Sequence, residues 1–129
     1  MVLREATAAD VDHVVALIRD LVETVGGPQA VDEAATRATV LSLIASPMGV
    51  VFVTPGGFIA GMLSALPVAS DLWAHELGWR ATDRSGLRLL RAFESWADQH
   101  GARVRLSTGA NGPDLSRLGY RPVELAWVR

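Results

Sequence analysis

A strand–turn–helix junction in the second half of the chain carries the residue pattern with the clearest chemical meaning. The stretch Leu77–Ala97 predicts a strand, a short polar turn containing Gly86, and an amphipathic helix that begins rich in arginine. A helix start directs unpaired N–H groups and a positive dipole end at one point, which suits phosphate groups. Arg84, Arg88 and Arg91 follow i, i+4, i+7 spacing, which predicts one shared helix face. The junction therefore predicts a site for a phosphate-bearing ligand, and the alternative is a solvated helix face.

Composition limits the class of protein. The chain has 129 residues, of which 50% are hydrophobic and 20% are charged, and this predicts one folded domain over residues 1–129. The formal charge of −2 gives no general attraction to nucleic acid or acidic lipid, so we expect neither as a partner. Cysteine is absent and the three histidines show no metal-ligand spacing, so we expect no metal site. The sequence has no signal pattern and no apolar run of membrane length, so we expect a cytoplasmic protein.

The first half of the chain predicts a strand, two helices and a hairpin. In chain order these are the strand Val2–Glu5, helices over Val11–Val25 and about Asp32–Ala45, and the strands Gly49–Thr54 and Phe58–Val68. Thr7 resembles the cap of the first helix. The second helix is predicted to turn its apolar positions inward, namely Ala34, Ala38, Leu41 and Ile44. Pro55–Gly57 is predicted to form the hairpin turn.

The second half predicts a long strand, a helix and two further strands. In chain order these are the strand Leu72–Ala81, the helix Ser85–His100 ended by Gly101, the strand Arg103–Thr108, a turn-rich stretch Gly109–Leu118, and the strand Tyr120–Val128. Alternation in the long strand predicts that one face carries Trp73, His75, Leu77 and Trp79, and the other Leu72, Ala74, Glu76, Gly78 and Arg80. The order β-α-α-β-β-β-α-β-(short α)-β predicts an α/β domain whose central mixed sheet of about six strands is flanked by helices.

This order of elements resembles the GNAT superfamily of acetyl-CoA-dependent N-acetyltransferases over essentially the whole chain. Three stretches carry the resemblance: the opening strand and cap in Leu3–Asp10, the strand and helix start in Glu76–Glu94, and the late turn and strand in Leu118–Glu124. The likeness is closest to small members encoded in phages and prophages. The resemblance implies a GNAT-like fold with acetyl-CoA as co-substrate and no metal.

The resemblance also implies where acetyl-CoA binds. In the family it lies in a V-shaped opening between two parallel strands, with its pantetheine arm along the fourth strand and its pyrophosphate on the amides of the next helix. The positions implied here are Trp79, Arg80, Ala81, Arg84, Ser85, Gly86, Leu87, Arg88 and Asn111. The family pattern at the turn, Q/R-x-x-G-x-G/A, places its last glycine on Gly86, its first glycine on Arg84 and its Gln/Arg on Ala81. With a deletion, Arg84 stands for the family's arginine instead. The turn is poorer in glycine than the pattern, and we expect Arg84 and Arg88 to offset this through side-chain contacts.

The usual general acid is expected to be missing. Many members protonate the leaving thiolate from a tyrosine four residues before the late-turn glycine, and Leu115 occupies that position here. Tyr120 is the only tyrosine of the chain, and it falls at the aromatic position of the motif, where we expect it to pack.

Two neighbouring residues are candidates for the general base, and two nearby ones for acceptor binding. Glu76 matches the family's strand-borne glutamate and is favoured, with an ion pair to Arg80 as the alternative. His75 faces the opposite way, and its alternative is a packed or exposed histidine. Asp71 is predicted to attract a cationic amine, and Trp73 to line the acceptor pocket. The remaining tryptophans are expected in the core: Trp79, Trp96 and Trp127.

Two functions from different classes stay open. The first is an N-acetyltransferase that moves acetyl from acetyl-CoA to a primary amine of a small molecule or protein by direct transfer. The second is a catalytically degenerate binding or structural module with the GNAT fold, which either still binds CoA or no longer binds it. The shortened turn and Leu115 favour the second. The resemblance places the acceptor pocket at the first two helices and their loop, Gly26–Val31, and it predicts a homodimer through an exposed late strand.

Overall fold

The computed structural model describes residues 2–129 and has a five-stranded sheet with helices on both faces. The strands are β1 (Arg4–Glu5), β2 (Gly49–Thr54), β3 (Gly57–Ala65), β4 (Leu72–Ala81) and β5 (Arg103–Arg105). The helices are α1 (Val11–Val25), α2 (Glu33–Ala45) and α3 (Gly86–Gln99), with short 3₁₀ turns at Ala8–Asp10 and Ser116–Leu118. The strands lie side by side in chain order, antiparallel except for the parallel pair β4 and β5. The predicted α/β class and mixed sheet are confirmed.

Two hydrophobic clusters hold the helices on opposite faces of the sheet. Strand alternation divides them, since the neighbours Phe58 and Ile59 in β3 are both fully buried but belong to different clusters. The first cluster joins α1 and α2 to the sheet through Val11, Val14, Val15, Leu17, Val40, Leu43, Val51, Val53 and Phe58. The second joins α3 to the sheet through Leu89, Leu90, Phe93, Trp96, Ile59, Leu63 and Ala74. Trp96 lies in the core, as the sequence predicts.

The predicted last strand, Tyr120–Val128, is not formed. Residues 121–129 are all exposed and join no strand of the sheet. Trp127 is 87% exposed, and the expectation of a core residue there is wrong. The one ion pair of this segment joins Glu124 to Arg105 of β5 at 2.5 Å. Alternating apolar residues specify which face of a strand is buried, but a strand also needs a partner to supply its hydrogen bonds. The sheet therefore has five strands where about six were predicted.

A β-bulge in β4 overturns the predicted faces of that strand. Ala60 pairs with Gly78 and Gly61 with Glu76, so Leu77 has no partner in β3. An extra residue shifts the alternation by one position. As a result Trp79 packs in the α3 cluster together with Ala74, and not on the face that carries Trp73 and His75.

Helix α2 turns a different face inward from the one predicted. Val40 and Leu43 are buried, and Ile44 packs on the same cluster as predicted, whereas Ala34, Ala38 and Leu41 are exposed. Apolar residues lie nearly all round this helix, so its sequence does not define one stripe, and the larger side chains decide which way it faces. The strands β1, β3 and β5 are also shorter than predicted. The strand β3 ends at Ala65, which pairs with the first residue of β4, whereas β5 leaves the sheet although β4 continues.

Gly61 should be the glycine of the sheet that is least tolerant of a side chain. A Cβ at this position would lie against the ring of Phe93 and 2.5 Å from the carbonyl oxygen of His75. We expect Gly61→Ala to lower the free energy of unfolding by about 3 kcal/mol, because the packed layer must move. Denaturant unfolding measures this value.

Gly86→Ala is the matched control for that experiment. A Cβ there meets its nearest neighbours at 3.7 and 3.9 Å, which are ordinary contacts. We expect its free energy of unfolding to stay within about 0.5 kcal/mol of the parent protein. Equal losses in the two variants would contradict the packing described at Gly61.

Candidate active site

The parallel strands β4 and β5 pair briefly and then separate. Their registered pairs are Trp73 with Arg103, Ala74 with Val104, and His75 with Arg105. Beyond His75, β4 continues to Ala81 while the chain after Arg105 leaves the sheet. The β4 edge beyond His75 therefore has no strand partner on the β5 side within residues 2–129. Its backbone groups on this side are free to pair with an extended ligand.

Glu76 lies where the two strands separate. Its side chain is buried, with the residue 8% exposed, and its Oε1 accepts a hydrogen bond from the Ser107 N–H at 3.0 Å. Burial raises the pKa of Glu76 to about 7, although the Ser107 hydrogen bond acts in the opposite direction. The carboxyl group thus changes protonation near neutral pH, which suits a group that accepts and releases a proton. Arg80 does not pair with it, because the Arg80 Nε donates to Asp20 of α1 at 2.8 Å.

His75 lies next to Glu76 in the strand but in different surroundings. It is half-buried and registered against Arg105. Burial lowers the pKa of His75, and the positive charge of Arg105 lowers it further. The imidazole is therefore mainly neutral at neutral pH.

The turn that links β4 to α3 is organised around the carboxylate of Asp83. One oxygen accepts from the Gly56 N–H at 2.8 Å and from Thr54 Oγ1 at 3.0 Å. The other accepts from the Ser85 N–H at 3.2 Å and from the Ser85 hydroxyl. These hydrogen bonds, with that of the Ser85 hydroxyl foremost, lower the pKa of Asp83 to about 2, against a smaller opposing effect of burial. The carboxylate is therefore ionised throughout the neutral range.

Arg84, two residues before Gly86, has a left-handed backbone conformation. Its φ is +66°, and it is the only non-glycine residue with positive φ among residues 2–129. This left-handed region is costly for a side chain as large as arginine. Arg84 also precedes the helix, so the predicted single helix face with Arg88 and Arg91 is wrong. Arg84 and Arg88 are exposed and form no ion pair within residues 2–129, whereas Arg91 pairs with Glu94.

The first turn of α3 presents free backbone donors. The N–H groups of Gly86, Leu87 and Arg88 donate no hydrogen bond within residues 2–129, as expected at a helix start. The Trp79 indole holds this turn against β4, since its Nε1 donates to the Gly86 carbonyl at 3.1 Å. Ser85 is fully buried, so its hydroxyl belongs to the turn rather than to the surface. The predicted cofactor residues Ala81, Ser85, Gly86, Leu87 and Arg88 are thus brought together, with Trp79 as their support.

Two other predicted cofactor positions lie apart from this turn. Arg80 is held by Asp20 of α1, and Asn111 is exposed in the loop after β5. That loop packs on the end of α1, since a Cβ at Gly109 would lie 3.1 Å from the Val25 side chain. Any contact of Asn111 with a ligand stays a prediction.

The late turn contains no free tyrosine hydroxyl. Tyr120 packs on the α3 cluster, and its hydroxyl donates to Glu94 Oε2 at 2.7 Å. Burial and the Glu94 carboxylate raise the pKa of Tyr120 far above its usual value. Leu115, at the family's tyrosine position, begins the 3₁₀ turn Ser116–Leu118. The packing role expected for Tyr120 therefore agrees with its environment.

Asp71 and Trp73 lie away from Glu76. Asp71 is five residues from Glu76, ~16 Å along an extended chain, and it pairs with Arg103 at 3.5 Å. The Arg103 guanidinium also lies 4.3 Å from the Trp73 ring centroid. The structure thus joins Asp71 and Trp73 to each other through Arg103 and not to the opening beyond His75.

A shallow depression of about 400 Å³ lies at the end of α1 and the following loop. Its lining residues are Arg19, Val22, Glu23, Gly26, Gly27, Gln29, Ala30 and Val31. It coincides with the loop where the sequence predicts the acceptor pocket. Between residues 2 and 129, no group of three or more potential ligands converges on a metal position. None of the described helices is both long and apolar enough to cross a bilayer.

Comparison with solved structures establishes the fold. A GCN5-related N-acetyltransferase from Ralstonia eutropha JMP134 superposes with a TM-score of 0.78 at 19% identity, covering 99% of this chain and 97% of the other. A predicted acetyltransferase from Clostridium acetobutylicum, solved with acetyl-CoA, gives 0.80 at 13% identity, covering 99% and 94%. An integron cassette protein from the Cole Harbour Salt Marsh metagenome gives 0.74 at 19% identity, covering 98% and 88%. No protein-family model and no curated protein matches the sequence. The GNAT fold implied by the sequence resemblance is confirmed.

Several residues that shape the site were missed by sequence reasoning. Ser107 and Asp83 are the main ones, together with Thr54 and Gly56 of the β2–β3 turn. In the sequence Asp83-Arg-Ser85, an aspartate precedes a residue whose N–H it can bind two positions on, and this local pattern indicates a turn. The contact of this turn with Gly56 joins segments 27 residues apart and had no local signal.

The raised pKa of Glu76 predicts how stability depends on pH. A carboxyl whose pKa is higher in the folded than in the unfolded protein favours folding below its unfolded pKa, and this contribution is lost as pH rises through the folded value near 7. We expect Glu76→Gln to raise the free energy of unfolding at pH 8 by roughly 2 to 3 kcal/mol and to change it little at pH 4. The glutamine oxygen keeps the Ser107 hydrogen bond. Unfolding midpoints at the two pH values measure the effect, and a gain independent of pH would refute this assignment.

Proposed function

We propose that this protein is an N-acetyltransferase that moves the acetyl group of acetyl-CoA directly to a primary amine of a small molecule or protein. The observation that carries the proposal is the separation of β4 from β5, followed directly by the free amides of α3. A free strand edge suits the amide-bearing pantetheine arm, and a helix start suits the diphosphate. The similar fold of a protein solved with acetyl-CoA supports the same assignment.

In this proposal each part of acetyl-CoA has named protein groups. The amides of Gly86, Leu87 and Arg88 bind the diphosphate, and the exposed guanidinium groups of Arg84 and Arg88 add charge from the side. The backbone of β4 between Leu77 and Ala81 pairs with the pantetheine arm. The depression at the end of α1 is the candidate acceptor site, where Glu23 would contact a cationic amine.

Glu76 is the proposed general base. It takes the proton of the ammonium group, directly or through one water, so that the amine can attack the thioester carbonyl carbon. The C–N bond then forms, the C–S bond breaks and the thiolate leaves, while the acylated nitrogen loses its second proton to solvent to give the neutral amide. The thiolate takes its proton from solvent, because Tyr120 is bound to Glu94 and Leu115 has no proton to give. Alignment of the two substrates supplies much of the rate.

A binding module without catalysis is the second candidate. Two observations favour it: the arginine in the left-handed turn position and the leucine at the tyrosine position of the late turn. Such a protein would keep the cleft for CoA or a partner while transferring no acetyl group.

Thermal unfolding with acetyl-CoA and with CoA tests the proposal. A ligand at ~100 times its Kd adds roughly 2.7 kcal/mol, which raises the midpoint of a domain this size by several degrees. We expect this shift in the parent protein and in Glu76→Gln, and a smaller one in Arg84→Ala. With a panel of primary amines, the parent should release free thiol and Glu76→Gln should release at least about 100-fold less.

The outcomes separate the two candidate functions. A shift without thiol release for any amine would favour the binding module. No shift with either ligand would remove the acetyl-CoA assignment altogether.

We also propose that the protein forms a homodimer through its C-terminal segment, residues 121–129, and that it works in the cytoplasm. The large apolar side chains of this segment are exposed, namely Val123, Leu125, Trp127 and Val128. Glu124 of the same segment pairs with Arg105 of β5, whose outer edge pairs with no other strand in the described sheet. An unpaired edge next to an alternating apolar segment favours pairing between two copies.

Light scattering at micromolar concentration tests the dimer. We expect the parent protein to have twice the monomer mass and Trp127→Glu to be monomeric, because a charge replaces the most exposed aromatic of the segment. Val68→Glu is the control, since Val68 is 96% exposed outside the segment. A monomeric parent, or equal dissociation in both variants, would contradict the proposal.

A further inference from the structure

The turn between β4 and α3 is fastened to the turn between β2 and β3. Thr82 donates to the Gly56 carbonyl oxygen twice, from its N–H at 2.8 Å and from its hydroxyl at 2.9 Å. Asp83 accepts from the Gly56 N–H at 2.8 Å in return. Gly56 thus uses both of its backbone groups on this contact, which fixes the two residues before Arg84.

Close approach of the two turns requires both hairpin glycines. A Cβ on Gly56 would lie 2.8 Å from the Asp83 Cβ, and a Cβ on Gly57 would lie 2.8 Å from the Ser85 Oγ. The Thr54 and Ser85 hydroxyls, 2.8 Å apart, are buried beneath the contact. Because water is excluded there, loss of any partner would leave a buried polar group unpaired.

This contact holds Arg84 in an unfavourable conformation. Asp83 binds the residue after Arg84 through both the N–H and the hydroxyl of Ser85, and it binds Gly56 on the other side. Arginine prefers negative φ by about 1 to 2 kcal/mol. The carboxylate is the group of the turn that binds directly across Arg84, whereas Thr54 and Trp79 hold only Ser85 and Gly86, which follow it. Without the carboxylate we expect the Arg84 backbone to relax and the first amides of α3 to shift.

We propose that Asp83 is the positioning residue of the diphosphate site. Its carboxylate keeps Arg84 left-handed and thereby aims the amides of Gly86, Leu87 and Arg88 at the diphosphate of acetyl-CoA. The inference rests on the proposed acetyl-CoA site. The charge of Asp83 repels phosphate, but the residue favours phosphate binding through the backbone geometry that it holds.

Asp83→Asn tests the proposal, because an amide of the same size cannot accept from Gly56 and Ser85 at once. Relaxation of Arg84 should weaken acetyl-CoA binding about 10-fold. Binding of S-acetylpantetheine, which has no diphosphate, should not change. Asp98→Asn is the matched control, since Asp98 is an exposed carboxylate near the far end of α3. Titration calorimetry of the parent protein and the two variants with both ligands measures the six affinities.

A second background separates positioning from a general loss of structure. Glycine adopts positive φ as readily as negative φ. In Arg84→Gly protein the added Asp83→Asn change should therefore weaken acetyl-CoA binding by no more than about 2-fold. If Asp83→Asn does not fold, Thr54→Val removes one donor to the same carboxylate and should give a smaller loss in the same direction.

The outcomes distinguish this inference from the proposed function. Failure of the parent protein to bind acetyl-CoA would overturn the acetyl-CoA site itself. If the parent binds, three results would each overturn the positioning role of Asp83. They are an unchanged affinity in Asp83→Asn, an equal loss for both ligands, and a loss in the Arg84→Gly background as large as in the parent background.

Discussion

The structure depends on a parallel strand pair that holds together for only three residue pairs. Up to His75 and Arg105 the two strands complete the sheet, and beyond them β4 has an open edge. A parallel pair requires a crossover, and α3 supplies it, so the open edge leads straight into a helix start. The bulge at Leu77 falls on the same segment and lets Trp79 turn into the α3 core. The opening beside β4, the buried carboxyl of Glu76 and the turn between β4 and α3 all follow from this early separation.

The separation of β4 from β5 determines the environment of Glu76. At the opening the Glu76 carboxyl is buried with one backbone donor, Ser107, which is too little to keep its pKa at the ordinary value. The ionised carboxylate of Glu76 is therefore less stable than that of an exposed glutamate. The ionised carboxylate is also the form that can accept a proton.

In the turn between β4 and α3 the ionised form of a carboxyl is stabilised instead. The hydrogen bonds that the Asp83 carboxylate accepts lower its pKa, so that it stays ionised. The same hydrogen bonds fix the backbone around Arg84. A glycine in the turn would adopt the same backbone conformation without strain, but it would lose more conformational entropy on folding. Here side-chain hydrogen bonds and two hairpin glycines take the place of glycine in the turn itself.

Local patterns determined the order of elements and hence the fold, because the apolar spacing of α1 and α3 and the continuous apolar run of β2 are set within each segment. The strand β4 and the turn before Gly86 could be predicted in the same way, and the packing of Tyr120 followed from its position in the family motif. The bulge at Leu77, the partners of Arg80 and Asp83, and the unpaired segment after Tyr120 could not. Each of these depends on a segment distant in sequence, since a strand needs a free edge and a charge needs a partner. The sequence by itself determined which residues could do chemistry, and only the tertiary structure decided which of them meet.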